Sequence, residues 1–344
     1  MPISAHYGLT VLIWGLTWTA IRLQVESASV DLAVFYRFVM ASVVALAVLA
    51  VTRRLSRLTP GQHGWLFLQG LTLYSVNFLL IYRAAESMTS GLLAVVFSLA
   101  ALFNAFNGWL WLRTRPTARL YPAVALGVTG VALLFWHDLQ LGNATGASIL
   151  FAVAGTFWFS MGNLVSVKVR AAGVPLFTAN AWAMVYGALI LGLWCLIQGV
   201  EWMLPATSVF WGATVFLAVP GSIVAFYCYI TVIQVLGADN AGYAAVLFPV
   251  VALSVSTWLE GFEWTTPAML GALLAILGNY VLFRPGKRQR NQRSRATDLT
   301  LLLWAHFVVQ DSSHPFAPIS FGAIFKNTPS AANNNAVLAI IATG

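Results

Sequence analysis

Charge is scarce in this chain. Only 8% of its 344 residues are Asp, Glu, Lys or Arg, where a soluble domain carries about 25%. So few polar groups cannot coat a water-soluble sphere of this size, whereas a lipid-facing exterior needs no such coat. Acidic residues are scarcest, with 10 Asp and Glu against 18 Lys and Arg, giving a formal net charge of +8. The basic residues sit between apolar runs, so membrane topology explains them and no nucleic-acid partner is expected. There are two cysteines, Cys195 and Cys228, both inside apolar runs. Without any C-x-x-C or Cys/His spacing, they read as small hydrophobic residues rather than metal or redox groups. H-E-x-x-H and G-x-S-x-G are both missing. His6, His63 and His137 lie at the ends of apolar runs, with no partner carboxylate in reach by spacing. These gaps argue against a membrane hydrolase or acyltransferase, and no metal or cofactor is expected. The first apolar stretch lacks a basic leading region, so it does not read as a cleavable signal peptide.

What the chain has in quantity is long hydrophobic runs: 60% of its residues are hydrophobic. A helix needs about 20 mainly apolar residues to cross a hydrocarbon core of about 30 Å. Ten such runs are readable: Ile3–Leu23, Leu32–Thr52, Trp65–Ala84, Ser87–Leu112, Leu120–Trp136, Ala147–Val169, Leu176–Ile197, Val209–Ile233, Asn240–Leu259 and Pro267–Phe283. The expected fold is an all-α polytopic membrane protein with ten transmembrane helices. Very short turns join the third to the fourth, near Glu86, and the eighth to the ninth, at Gly237–Asp239.

Lys and Arg accumulate on cytoplasmic loops. With the N-terminus placed inside, fourteen of them fall on inside segments. They are Arg53, Arg54 and Arg57; Arg113, Arg115 and Arg119; Lys168 and Arg170; and Arg284, Lys287, Arg288, Arg290, Arg293 and Arg295. Only Arg22 and Arg83 fall outside. This map predicts both termini in the cytoplasm of a multi-pass protein of the cell (inner) membrane.

The two halves resemble each other. Gly91, Ala94, Val95 and Phe97 recur 151 residues later as Gly242, Ala245, Val246 and Phe248. Gly130-Val-Ala-Leu-Leu-Phe135 is echoed by Gly278-Asn-Tyr-Val-Leu-Phe283. Five spans per unit is an odd number, so the second unit enters from the opposite side. The reading is two inverted five-helix repeats, residues 1–138 and 145–286. A basic tail and extension follow at 287–344, where Leu299–Val309 is apolar but too short to span. Folds with inverted repeats place a substrate site at the repeat interface, near the bilayer midplane.

With Trp14-Gly15 in the first helix and Tyr36-Arg37-Phe38 in the second, the chain resembles the drug/metabolite transporter superfamily, in its EamA-type branch. Tyr82-Arg83-Ala84-Ala85 before Thr89-Ser90-Gly91-Leu92, and Glu260-Gly261 after the ninth helix, carry the same resemblance. It covers about residues 8–286. It implies a secondary transporter, typically an exporter of small metabolites, amino acids or toxic compounds. It also implies a central cavity lined by the first, third, fourth, sixth, eighth and ninth helices. Two departures stand out. Arg113 occupies the place of an acidic residue often found after the first unit's fourth helix, and the chain runs well past the tenth span.

The candidate site residues follow from what membrane burial costs. Arg37 is the clear intramembrane charge, one to two turns inside the second span. Such residues are functional candidates because isolating a charge in lipid costs at least about 2.5–3.5 kcal/mol. Arg37 reads either as a structural or snorkelling group, or as a group that attracts a substrate anion. No Asp or Glu lies near the middle of a span, which argues against a mid-membrane proton relay and leaves exchange or facilitated diffusion equally open. Asn104 and Asn107 share one face of the fourth helix; Asn77 shares one of the third with Tyr74. They read as interhelical glue or as cavity lining, since both need an inward face. Trp14 and Trp18 share a face of the first helix, Trp158 lies between Gly155 and Gly162, and Tyr227 and Tyr229 lie in the eighth. These aromatics suit an amphipathic or aromatic small-molecule substrate, and could hold a cation. Pro220-Gly221 and Pro249 sit inside spans, where proline permits a kink. They read as gating hinges or as static bends. The competing function classes are a membrane-embedded enzyme and a structural membrane protein without transport. The sequence does not give the oligomeric state.

Overall fold

In a computed structural model of the chain, residues 2–113, 118–134, 136, 146–236 and 244–283 are described. All belong to one packed unit that spans residues 1–284. Among them ten helical rods follow one another. They are α1 (Ile3–Ser27), α2 (Val30–Val51), α3 (Pro60–Ala85), α4 (Ser90–Ser98 and Ala100–Leu112), α5 (Leu120–Leu134), α6 (Gly146–Ala171), α7 (Leu176–Ile197), α8 (Ser208–Ala218, Pro220–Val224 and Ala225–Leu236), α9 (Ala244–Leu259) and α10 (Thr266–Phe283). The described residues contain no strand. Seven rods, α1–α4 and α6–α8, are long and apolar enough to cross a membrane; α5, α9 and α10 offer shorter apolar stretches. Many large apolar side chains point outward, such as Val43, Leu189, Leu196 and Trp258. So much exposed apolar surface fits a lipid-facing exterior.

The helix ends explain where sequence reading fell short. α3 begins at Pro60, five residues before the apolar run at Trp65. Thr59 Oγ1 accepts the Gln62 N–H at 3.3 Å, and Gln62 Oε1 accepts the Thr59 N–H at 2.8 Å. This reciprocal cap, with Pro60 at the first helical position, starts the helix in polar sequence. Thr89 and Thr207 cap α4 and α8 through Leu92 N–H and Phe210 N–H. Ala28 and Ser29 alone separate α1 from α2, so α1 runs on past Leu23 and α2 starts at Val30. α4 starts at Ser90 rather than Ser87, after a turn at 86–89 that keeps the expected short connection. The Gly237–Asp239 turn and the 287–344 tail lie outside the described residues.

Two rods are not α-helical throughout, which the sequence reading did not foresee. Gly70–Val76 in α3 and Pro220–Val224 in α8 are π-helical. A serine serves each wider turn: Ser75 Oγ donates to Gly70 O at 2.9 Å, and Ser222 Oγ to Leu217 O at 2.8 Å. Both acceptors lie five residues back. Pro220 has no N–H to give. In α4 the helix breaks at Leu99, while α9 runs continuously through Pro249.

Packing is by pairs. α5 lies against α10, α2 against α7, and α4 against α9. α1 packs on α8 and α9, and α6 packs on α3 and α4. Small residues allow the closest approaches. A Cβ added to Gly271 would stand 2.5 Å from the Gly130 carbonyl oxygen, and one added to Gly70 would stand 2.6 Å from that of Ala183. Close backbone contact of this kind is how helices associate in lipid, where no hydrophobic force separates protein from solvent.

Candidate functional site

Polar and aromatic side chains are arranged in layers between the helices. The first layer lies at the end of the bundle that carries the α3–α4 turn. Arg22 pairs with Glu26 at 2.6 Å, and its Nη1 donates to the Ala85 carbonyl at 2.9 Å. Arg83 Nη2 donates to both Asp31 oxygens, at 3.0 and 2.8 Å, and Trp194 Nε1 donates to Asp31 Oδ1 at 3.0 Å. The Ser90 N–H, in the first turn of α4, donates to Glu260 Oε2 at 2.7 Å, which also accepts Ser256 Oγ at 3.1 Å. A carboxylate suits that place, because the helix dipole is positive there. The hydroxyls of Ser87 and Ser148 bond to each other. Together these contacts tie α1, α2, α3, α4, α6, α7 and α9 at one end.

Below them runs a chain of four buried side chains on four helices. Arg37 Nη1 donates to Tyr82 Oη at 3.3 Å, Tyr82 donates to Gln24 Oε1 at 2.6 Å, and Gln24 Nε2 donates to Thr214 Oγ1 at 2.6 Å. The Thr214 hydroxyl in turn donates to the Phe210 carbonyl at 2.8 Å. The Arg37 guanidinium lies over the Phe78 ring, 4.4 Å from its centre, a cation–π contact worth about 2 kcal/mol when shielded from water.

Aromatic rings fill the next layer. Trp18 meets Phe97 at 4.9 Å and Phe248 at 6.4 Å between centres, and Phe97 meets Phe159 at 4.6 Å. α1, α4, α6 and α9 thus touch through rings. Toward the Arg53 end, Trp14 Nε1 donates to the Gly221 carbonyl at 3.3 Å, inside the π segment of α8. Its ring lies 4.9 Å from Tyr229 and 5.5 Å from Phe226. Asn163 Nδ2 donates to Asn104 Oδ1 at 3.2 Å and Asn107 Nδ2 to Ser160 Oγ at 2.9 Å, joining α4 to α6. Gln69 donates to Ser166, and both Gln69 and Tyr74 reach Asn180 Oδ1, so α3, α6 and α7 share one network. A cavity of about 180 Å³ lies between α2, α7 and α8, with Asn180, Ser222, Phe226 and Tyr227 on its wall.

The expected site residues are therefore only partly gathered. Trp14 meets both Tyr229 and Gly221 directly. Trp18 turns instead toward α4 and α9, although it shares a side of α1 with Trp14. Asn77 is fully buried and donates to the Leu73 carbonyl within its own helix. Asn107 is fully buried and bonded to Ser160 of α6, while Asn104 keeps some exposure. Tyr227 is mostly exposed, although it borders the cavity. Trp158 is half-buried and makes no ring contact or hydrogen bond among the described residues; its neighbour Phe159 enters the aromatic layer instead. Pro220 opens the π segment, and Pro249 lies within α9 next to Phe248 of the ring cluster. Sequence reading missed Gln24, Tyr82 and Thr214. All three lie near helix ends, where polar side chains read as interfacial, and only the fold shows that they face one another. No three His, Cys, Asp or Glu side chains converge among the described residues.

Known proteins match this chain over nearly all of the described helices. The model of the EamA-like transporter family matches residues 8–136 and again 146–284. The chain is 29% identical to the "Uncharacterized inner membrane transporter YedA" of Escherichia coli K12, covering 82% of this chain and 92% of that protein. It is 22% identical to protein PagO of Salmonella typhimurium LT2, over 82% and 92%. It is also 22% identical to a "Probable amino-acid metabolite efflux pump" of the same strain, over 79% and 92%. A solved crystal structure superposes with a TM-score of 0.59 at 16% identity, covering 81% of this chain and 95% of that one, and so shares its fold. The doubled family match over an all-helical, apolar bundle has one meaning: this chain is a membrane transporter that belongs to the EamA-like family of the drug/metabolite transporter superfamily.

Proposed function

We propose that this chain is a secondary transporter of small metabolites, amino acids or amphipathic and aromatic compounds, which it exports by alternating access. Ten spans form two inverted five-helix units, residues 1–138 and 145–286, with both termini in the cytoplasm of the inner membrane. The substrate path runs between α1, α3, α4, α6, α8 and α9. The lining residues are Trp14, Trp18, Arg37, Asn77, Asn104, Asn107, Trp158, Tyr227 and Tyr229, and the hinges are at Pro220, Gly221 and Pro249.

One observation carries this reading: a π segment interrupts the third rod of each half, α3 and α8. The break after Ser98 in α4 lies 151 residues before Pro249 in α9, the same offset that relates Gly91 to Gly242, although α9 itself stays continuous there. Interrupted helices at corresponding places in two halves point to a transport site, and π segments recur at functional positions. The packing pairs agree with two like units. α2–α7, α4–α9 and α5–α10 would each pair with themselves, and α1 on α8 and α9 would mirror α6 on α3 and α4. Export of amino-acid-like solutes draws support from the relative named as an efflux pump.

Uptake of labelled amino acids and nucleosides into proteoliposomes tests the proposal. Flux above that of empty liposomes is expected for at least one solute class; none across a broad panel would defeat it. In the same assay Pro249→Ala is expected to slow transport several-fold while moving KM little, because a hinge governs the rate of interconversion. Parent-rate flux in this variant would leave Pro249 as a static bend.

A further inference from the structure

The Arg37 guanidinium has more donors than its surroundings can use. The side chain is only 4% exposed. Among the described residues its one hydrogen bond runs from Nη1 to Tyr82, at 3.3 Å, just beyond the usual N–H···O range. Nε–H is shielded from solvent and has no acceptor. The chain beyond Tyr82 supplies none, because every bond in it runs the same way. Arg37 donates to Tyr82, Tyr82 to Gln24, Gln24 to Thr214, and Thr214 to a carbonyl. What remains unspent is a positive charge and the Nε/Nη2 edge of a flat group.

No described carboxylate answers that charge. Asp31 is held by Arg83 and Trp194, Glu26 by Arg22, and Glu260 by the start of α4. The rings of Phe78 and Phe38 cover the guanidinium at 4.4 and 5.3 Å, which fixes its plane without neutralising it. A buried cation lacking a counter-charge and most of its hydrogen-bond partners is unfavourable, and more so between lipid-embedded helices. A structural arginine would be expected to spend its donors on a carboxylate or on helix-end carbonyls, as Arg83 and Arg22 do here.

From this geometry we infer that Arg37 forms the anion subsite of the transport path, and that the substrate carries a carboxylate. The free Nε/Nη2 edge matches the two oxygens of that group in a fork, which a lysine cannot reproduce. Tyr82, held by Gln24, is a positioning residue that keeps Nη1 occupied and turns the free edge away from itself. The flanking Phe38 and Phe78 favour an apolar body behind the carboxylate. The inference rests on the transport reading and gives it a substrate class.

Thermal melts of the purified full-length chain in detergent test the site without needing flux. The probes are aromatic and aliphatic monocarboxylates, each paired with its neutral amide. At least one acid is expected to raise the melting temperature while its amide does not, and Arg37→Gln should remove that difference. If Arg37→Gln fails to fold, Arg37→Lys keeps the charge and loses the fork. It should weaken acid binding at least tenfold and leave any amide binding unchanged. Equal shifts from acid and amide, a preference that survives both substitutions, or no shift from any acid would each overturn the site. Binding without flux in proteoliposomes would defeat the carrier and leave the anion subsite. Flux of neutral solutes only would do the reverse.

Discussion

Replacing Gly271 with leucine is expected to force α5 and α10 apart and lower stability by about 3 kcal/mol, the upper end of ordinary overpacking effects. A Cβ there would stand 2.5 Å from Gly130 O and 2.6 Å from Leu134 N. Both are backbone atoms in a helix, so neither can swing aside as a flexible side chain would. Nor can the neighbouring rods relax freely, since Gly130 meets the Ala275 backbone and Gly278 meets that of Ala123 along the same seam. The expected measurement is a large fall in melting temperature and in monodisperse yield in detergent. Gly212→Ala is the control, because nothing lies within 4 Å of a Cβ at that position in α8. It should melt at or slightly above the parent temperature, as alanine favours helix over glycine. If Gly271→Leu melts with the parent, the α5–α10 contact is looser than described.

Asp31→Asn is expected to cost about 2 kcal/mol, the order of a hydrogen bond to a charged group left unmade in a shielded site. Asp31 is nearly buried in the first turn of α2, and it joins Arg83 of α3 to Trp194 of α7. The Arg83 side chain is 37% exposed, so water reduces the gain from the charge pair itself. The larger part of the loss then comes from the carboxylate's own surroundings. A double-mutant cycle separates the two. Asp31→Asn with Arg83→Gln should lose clearly less than the sum of the single variants, because each single change strands a partner. Strict additivity in melting free energies would mean that the pair, although formed, does not couple α2 to α3.

The rods themselves were legible in the sequence because lipid imposes one rule over some 20 residues, and composition alone reports it. Their ends were less so. Pro60 and Gln62 belong to α3 through a cap that is polar by nature, and an apolar-run criterion starts at Trp65. The π segments were invisible, since Gly70 and Pro220 signal a bend without saying how many residues the turn takes up. Arg37 stood out as a charge in an apolar run. Its partners did not, because Gln24, Tyr82 and Thr214 lie on three other helices and meet only through the packing of α1 against α3 and α8. Phe159 is another such case: the sequence drew attention to Trp158 between two glycines, and only the fold shows that the neighbouring Phe159 ring meets Phe97.

The π segment of α3 also fixes an angular phase. An α-helix advances about 100° per residue, and a π turn takes up an additional residue before the α rhythm resumes. Everything from Asn77 to Ala85 is therefore set by the length of the 70–76 stretch as much as by its own residues. Winding that stretch as α-helix with its residue count unchanged would rotate the last two turns of α3 by about 100°, whereas deleting one residue as well would leave their phase in place. With that rotation Tyr82 would leave Arg37, and Arg83 would leave Asp31, in a single step. The spacing of the chain within α3 thus works as a dial whose setting aligns the bound charge of α2 with the ion pair that closes the bundle's end.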